Sequence, residues 1–186
     1  MDLIKRVLKS IRYLVLYLLH YHKLESCRKH TVLIKPMRIM GGKNISIGDY
    51  TYILNGFRIE AIEKYEGQEF SPHIYIGDRV EMGQNCQISC VESIVIEDDV
   101  TLAPNVMIND STHGHNDKVL PIERQPLSHA PIHIGKGSLI GYGAVILPGT
   151  TIGKNCFIGA GCIIAENIPD FTVVSNHTNM MMKPII

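Results

Sequence analysis

Large aliphatic residues return at every sixth position along most of this chain, and that period decides what it can fold into. One block is Ile47, Ile53 and Ile59. A second is Ile76, Met82 and Ile88, resuming after a two-residue slip at Ile96, Leu102 and Ile108. The longest is Ile134, Ile140, Ile146, Ile152, Ile158 and Ile164. Glycine follows the aliphatic residue at Gly48, Gly77, Gly83, Gly135, Gly141, Gly153 and Gly159. The fourth place after it is small or β-branched, as at Thr51, Val80, Cys86, Val100, Val106, Ser138, Ala144, Thr150, Cys156 and Cys162. Phe57, Glu63, Glu92 and Ile168 break this rule, so block ends are less regular. A six-residue period fits neither an α-helix nor the alternation of one long strand. It fits short strands joined by tight corners, with the aliphatic residue inward and Gly, Asn or Asp at the corners. Three units make a triangular coil of eighteen residues, as from Ile134 to Thr151 and from Ile152 to Pro169. Stacked coils pair strands at ~4.8 Å and bury a continuous aliphatic column.

The expected fold class is therefore all-β, a parallel β-helix. Residues 41–170 form the β-helix domain, with a long loop over 109–133 inserted between coils and a tail over 171–186. Residues 1–40 form an N-terminal helical segment. There, Ile4, Val7, Leu8, Ile11, Leu14, Val15 and Leu18 follow helical spacing, with Lys5, Arg6, Lys9 and Arg12 largely off the stripe. This short helix either caps the open end of the coils or packs in an assembly, or it rests on an anionic membrane surface as a peripheral contact. The apolar run from Tyr13 to Leu19 falls far short of the ~20 residues of a spanning helix, and no small-x-small cleavage site follows it. The expected location is cytoplasmic. Eighteen basic and eighteen acidic residues cancel, so the charge does not point to nucleic acid. The five cysteines lack CxxC or zinc-type spacing and read as small buried thiols.

The run from Ile134, IGKGSLIGYGAVILPGTTIGKNCFIGAGCIIAENIP, resembles the hexapeptide-repeat acetyltransferases. The stretch from Ile76 to Pro169 is similar to galactoside and maltose acetyltransferases and to O-acetyltransferases of bacterial surface polysaccharides. That resemblance implies a left-handed coil, a homotrimer with active sites between neighbouring β-helices, and acetyl-CoA as acyl donor. It implies an acetyl-CoA-dependent O-acetyltransferase acting on a sugar or polysaccharide precursor. An N-acetyltransferase of an amino-sugar nucleotide and a non-catalytic β-helix scaffold are the alternatives.

Two excursions interrupt the repeat, Ala61 to Tyr75 and Asn109 to His133. The first is given no role. The second is polar, histidine-bearing and stiffened by Pro121, Pro126 and Pro131, the character of a functional loop. Acetyl transfer to a hydroxyl needs a base that takes the proton as the oxygen attacks, and imidazole suits that task. In the family the catalytic histidine sits five residues after the last aliphatic of a coil, the position of His113, with His115 as runner-up. Asp110 either accepts a hydrogen bond from that imidazole or is a turn residue. The cofactor positions that carry over are Gly141, Tyr142, Gly159, Ala160 and Ala165, with Lys183 for the phosphates and Lys136 and Lys154 as helpers. No metal is expected, because His113 and His115 lack the spacing of the β-helical carbonic anhydrases. Glu166 stands where relatives often carry Lys, Asn176 to Asn179 replaces a Gly-x-Pro-Ala turn, and Gly83 replaces an acceptor-binding Asn. These departures bear on the adenosine end of the cofactor and on the acceptor.

Overall fold

Strands of two to four residues, separated by tight corners, carry the whole architecture. The computed structural model describes residues 21–28 and 30–176, with isolated positions at 7, 11 and 15. The chain visits three parallel sheets in turn, which makes it a parallel β-helix. Sheet one stacks Ser26–Cys27, Ile45–Ile47, His73–Ile76, Ser93–Ile96, Ile132–Ile134 and Thr151–Ile152. Sheet two stacks Val32–Leu33, Tyr52–Ile53, Glu81–Met82, Thr101–Leu102, Leu139–Ile140, Phe157–Ile158 and Val173–Val174. Sheet three stacks Arg38–Met40, Arg58–Ala61, Gln87–Cys90, Met107–Asn109, Val145–Ile146 and Ile163–Ile164.

Register converts the six-residue period into three buried columns. Ile47, Ile76, Ile96, Ile134 and Ile152 face one another down sheet one. Ile53, Met82, Leu102, Ile140 and Ile158 do so down sheet two, and Ile59, Ile88, Ile108, Ile146 and Ile164 down sheet three. None of these side chains is more than 4% exposed, so every predicted aliphatic position is core. The small residues four places on are buried too, and the polar ones bond to neighbouring carbonyls. Thr51 donates to Gly77 O at 2.8 Å and Ser138 to Gly153 O at 2.8 Å.

Corners use glycine for two reasons. The third place after the aliphatic has positive φ, filled by Asn85, Asp99, Asn105 and Asn155 as well as by Gly143 and Gly161. The first place is set by close approach instead. A Cβ on Gly141 would lie 2.6 Å from the Ile158 carbonyl oxygen of the next coil. All five thiols are free, and burial pushes Cys86 up to about 11 and Cys27 up to about 12, which keeps them protonated and unreactive.

The β-helix begins upstream of residue 41. Ser26–Cys27, Val32–Leu33 and Arg38–Met40 form a complete coil paired in parallel with the next. The expected short N-terminal helix is not among the elements of the described residues, although the isolated positions 7, 11 and 15 are helical. Most of that segment lies outside the described residues, and Val7, Ile11 and Val15 of its apolar stripe are each about half exposed. Among the described residues no helix is long and apolar enough to cross a membrane. At the other end Val173–Val174 pairs with Phe157–Ile158, extending the stack into the expected tail.

Candidate active site

Both excursions leave the coil at the same place, the far edge of sheet three. After Arg58–Ala61 the chain runs into an antiparallel hairpin, Lys64–Tyr65 with Gln68–Glu69. After Met107–Asn109 it runs into a second, Ser111–His113 with Leu127–His129, where His113 faces Leu127. The long loop is thus an ordered hairpin. Its tip is tied by the buried Gln125, whose amide donates to Asp117 O at 2.8 Å and Leu120 O at 3.0 Å and accepts from Asp117 N at 3.0 Å.

The hairpins lock together. Gln68 accepts from Leu127 N at 2.6 Å and donates back to Leu127 O at 3.3 Å. Tyr65 donates its hydroxyl to Glu123 O at 2.6 Å, and its ring meets the His113 imidazole edge-on with centroids 5.6 Å apart. Desolvation, then the Glu123 and Glu66 carboxylates, raise the Tyr65 phenol above its ordinary value, so it stays a neutral donor. On the other strand His129 meets Glu92 at 2.7 Å and packs edge-on against Phe70. Tyr65, Gln68 and Phe70 belong to the excursion that sequence reasoning left without a role. The available signal was phase: each excursion starts just after the sheet-three aliphatic of its coil, Ile59 or Ile108.

His113 is exposed at the root of its hairpin and makes no side-chain hydrogen bond among the described residues. His115 is exposed two residues further on. Asp110 faces inward and fully buried, and accepts from the main-chain amides of Val91 at 2.8 Å, Glu92 at 2.8 Å and Ser93 at 3.1 Å. Of its two readings the geometry matches the turn residue: the carboxylate pins the corner of the preceding coil, not the imidazole. What the arrangement offers chemically is a solvent-facing imidazole on a braced strand, able to take a proton from a group beside it.

Gly141 and Tyr142, and Gly159 and Ala160, stack on successive coils at the corner between sheets two and three. Gly141 N donates to Ile158 O at 2.7 Å, and Gly161 N to Tyr142 O at 2.8 Å. Ala165 follows Ile164 at the opposite edge of sheet three. These positions therefore flank the last two strands of that sheet, where Ile163 faces outward and Gly161, Ile163, Val174 and Asn176 border an open depression of about 280 Å³. Lys136 and Lys154 lie at the corner between sheets one and two, away from this region, and Lys136 sits 3.4 Å from Asp99. Lys183 lies outside the described residues.

Two family models match the chain. Residues 131–166 match "Bacterial transferase hexapeptide (six repeats)", and residues 73–110 match "Hexapeptide repeat of succinyl-transferase". Galactoside O-acetyltransferase of Escherichia coli is 28% identical over 84% of this chain and 68% of its own length. Serine acetyltransferase of Buchnera aphidicola is 31% identical over 86% of this chain and 50% of its own. The chain spans only 32%, 59% and 60% of the length of three further curated relatives. Among solved structures, an N-acyltransferase from Bacillus cereus in complex with dTDP and 3-hydroxybutyryl-CoA superposes with a TM-score of 0.64 at 17% identity, covering 83% of this chain and 80% of that one. That likeness is one of fold. In repeat, in sequence and in architecture, this chain is similar to the hexapeptide-repeat acetyltransferases.

Proposed function

We propose that the protein is an acetyl-CoA-dependent O-acetyltransferase acting on a sugar or polysaccharide precursor, with His113 as general base and a homotrimer as the working assembly. The observation that carries this is the presentation of His113: an exposed imidazole on a strand braced by Tyr65 and the Gln68–Leu127 bonds. Supporting the acyl donor are the small residues Gly141, Gly159, Ala160 and Ala165 along the edges of sheet three, where an extended thioester arm could approach the main chain. Supporting a sugar acceptor are relatives named galactoside O-acetyltransferase in two organisms.

The transfer is direct. A ring nitrogen of His113 takes the acceptor hydroxyl proton as the oxygen adds to the thioester carbonyl carbon. The tetrahedral oxyanion then collapses, the carbon–sulfur bond breaks, and the departing thiolate takes the proton from the imidazolium. The products are an acetyl ester, free CoA and neutral His113. No acyl-enzyme is required, and the buried cysteines have no part in it. His113→Ala should lower turnover by roughly 10²–10⁴ with the melting temperature unmoved. The assay is acetyl-CoA consumption with hydroxyl and amino pyranosides side by side. Near-normal turnover in the variant would reject the base, and exclusive use of amino acceptors would reject O-transfer.

A further inference from the structure

One group on the surface leading to His113 has no part in the chemistry above. Glu60 lies on the outer side of sheet three yet is only 3% exposed. Arg58 meets its Oε2 at 2.6 Å, and Arg38 Nε lies 2.9 Å from Oε1. Even so, Oε1 accepts no aligned hydrogen bond. Oε1 is thus held by a misaligned ion pair with Arg38 alone, and it keeps acceptor capacity that a ligand O–H or N–H fills when the largely exposed Arg38 side chain swings aside. Glu60 also lines a cavity of about 160 Å³ with Arg58, Gln87, Ser89, Met107 and Asn109.

We propose that this trough binds one pyranose residue of the acceptor, with Glu60 accepting from a ring hydroxyl and Ser89, Asn109, Gln87 and Arg58 bonding its neighbours. This rests on the reading of the protein as a sugar acetyltransferase. Register supports the fit. Glu60, Ser89 and Asn109 are lateral neighbours on three successive strands. They therefore offer polar groups at steps of ~4.8 Å, about the width of a sugar ring. The volume is well below the roughly 300–1,000 Å³ of a pocket for a drug-sized ligand, which suits a single ring and not a nucleotide cofactor. Position supports it as well. Asn109 is bonded to Ser111, the first residue of the strand that ends at His113. Four residues of extended chain span at most ~13 Å, within reach of the next ring of a saccharide. Met107 contributes the one apolar side chain of the outer wall, a surface for a sugar's C–H face.

Saturation-transfer NMR with methyl galactoside, methyl glucoside and methyl N-acetylglucosaminide tests the trough, with calorimetric CoA titration of the same samples. Saturation of at least one pyranoside by the wild type is expected. Glu60→Gln should weaken it by roughly 10–100-fold and Ser89→Ala by less, the range for hydrogen bonds to charged and neutral groups, with CoA affinity unchanged. Should Glu60→Gln fail to fold, Ser89→Ala, which removes only an outward hydroxyl, decides by itself. Undiminished saturation in the folded variants, or none by the wild type, overturns the trough and leaves acetyl transfer standing. Loss of CoA binding alongside an intact, Glu60-dependent sugar signal would instead overturn the transferase reading and leave the trough.

Discussion

Asp110 separates a structural carboxylate from a catalytic one. Its replacement by Ala strands three main-chain N–H groups at the corner of residues 91–93. Val91 is fully buried, so its amide loses the whole partner, at about 1–3 kcal/mol. Glu92 and Ser93 are half-buried, and water recovers part of their loss, leaving roughly 0.5–1 kcal/mol each. The sum is about 2–5 kcal/mol, or roughly 5–15 °C in melting temperature for a chain of this size. Asp110→Asn should recover only part, because one face of the amide presents donors to donors. Thermal and urea unfolding of both variants measures this, and turnover per folded molecule well below the transition should stay near wild type. Melting within about 2 °C of wild type would refute the account. So would a collapse of turnover in a variant of normal stability, which is the signature of a carboxylate that orients His113.

Tyr65→Phe removes the bond to Glu123 O but keeps the ring against His113, whereas Tyr65→Ala removes both. The Ala variant should lose several-fold more kcat than the Phe variant with KM for acetyl-CoA unchanged, and equal losses would argue against ring bracing. Gly141→Ala forces a methyl to within 2.6 Å of the Ile158 carbonyl oxygen, so the stacked coils must part; a cost of about 1–3 kcal/mol is expected, read from the urea midpoint, and an unchanged midpoint would count against the packing argument. Asp99 is held at about 2, below its ordinary 3.8, first by the hydrogen bond from Arg79 and then by Lys136. A depressed carboxylate contributes stability above its unfolded value and loses it as pH falls through the folded one. The stability gap between wild type and Asp99→Asn should therefore hold from neutrality down to about pH 5, then close between about pH 4 and 2, and shrink in high salt. A gap that is constant across that acid range would contradict the assignment.

The aliphatic and small positions were legible because a solenoid repeats one local environment: a residue type that suits one coil suits all of them. The coil over residues 26–40 was hidden for the same reason in reverse. Cys27, Leu33 and Ile39 keep the six-residue spacing and stack on Ile47, Ile53 and Ile59. Yet no Gly follows any of them, and a cysteine stands at the first aliphatic place, so the unit lacks the corner signature. Asp110 was half legible. A carboxylate beside a histidine suits either role, and only the approach of the 91–93 corner, made when one coil stacks on the next, chooses between them.

The candidate site was legible where the repeat counts residues and illegible where it does not. His113 is singled out by the family resemblance, at the fifth place after Ile108, a count made within one coil. Tyr65 reaches it across 48 residues, and Gln68 reaches Leu127, opposite His113 in the hairpin, across 59, intervals that periodicity inside a coil cannot encode. What brings them together is the phase of insertion. Extra residues can leave a triangular coil only at a corner, and both excursions leave at the corner that follows sheet three. They depart from strands that flank Gln87–Cys90, two steps of ~4.8 Å apart. Hairpins rooted ~10 Å apart at one edge and extending beyond it must run side by side. The first excursion, which has no chemistry of its own in sequence, thereby becomes the wall that holds the strand carrying His113. Moving the Lys64–Glu69 hairpin to a different corner would leave every coil intact and His113 unbraced. The permuted protein should therefore melt like wild type while losing turnover. Retained turnover would show that the second hairpin stands without the first.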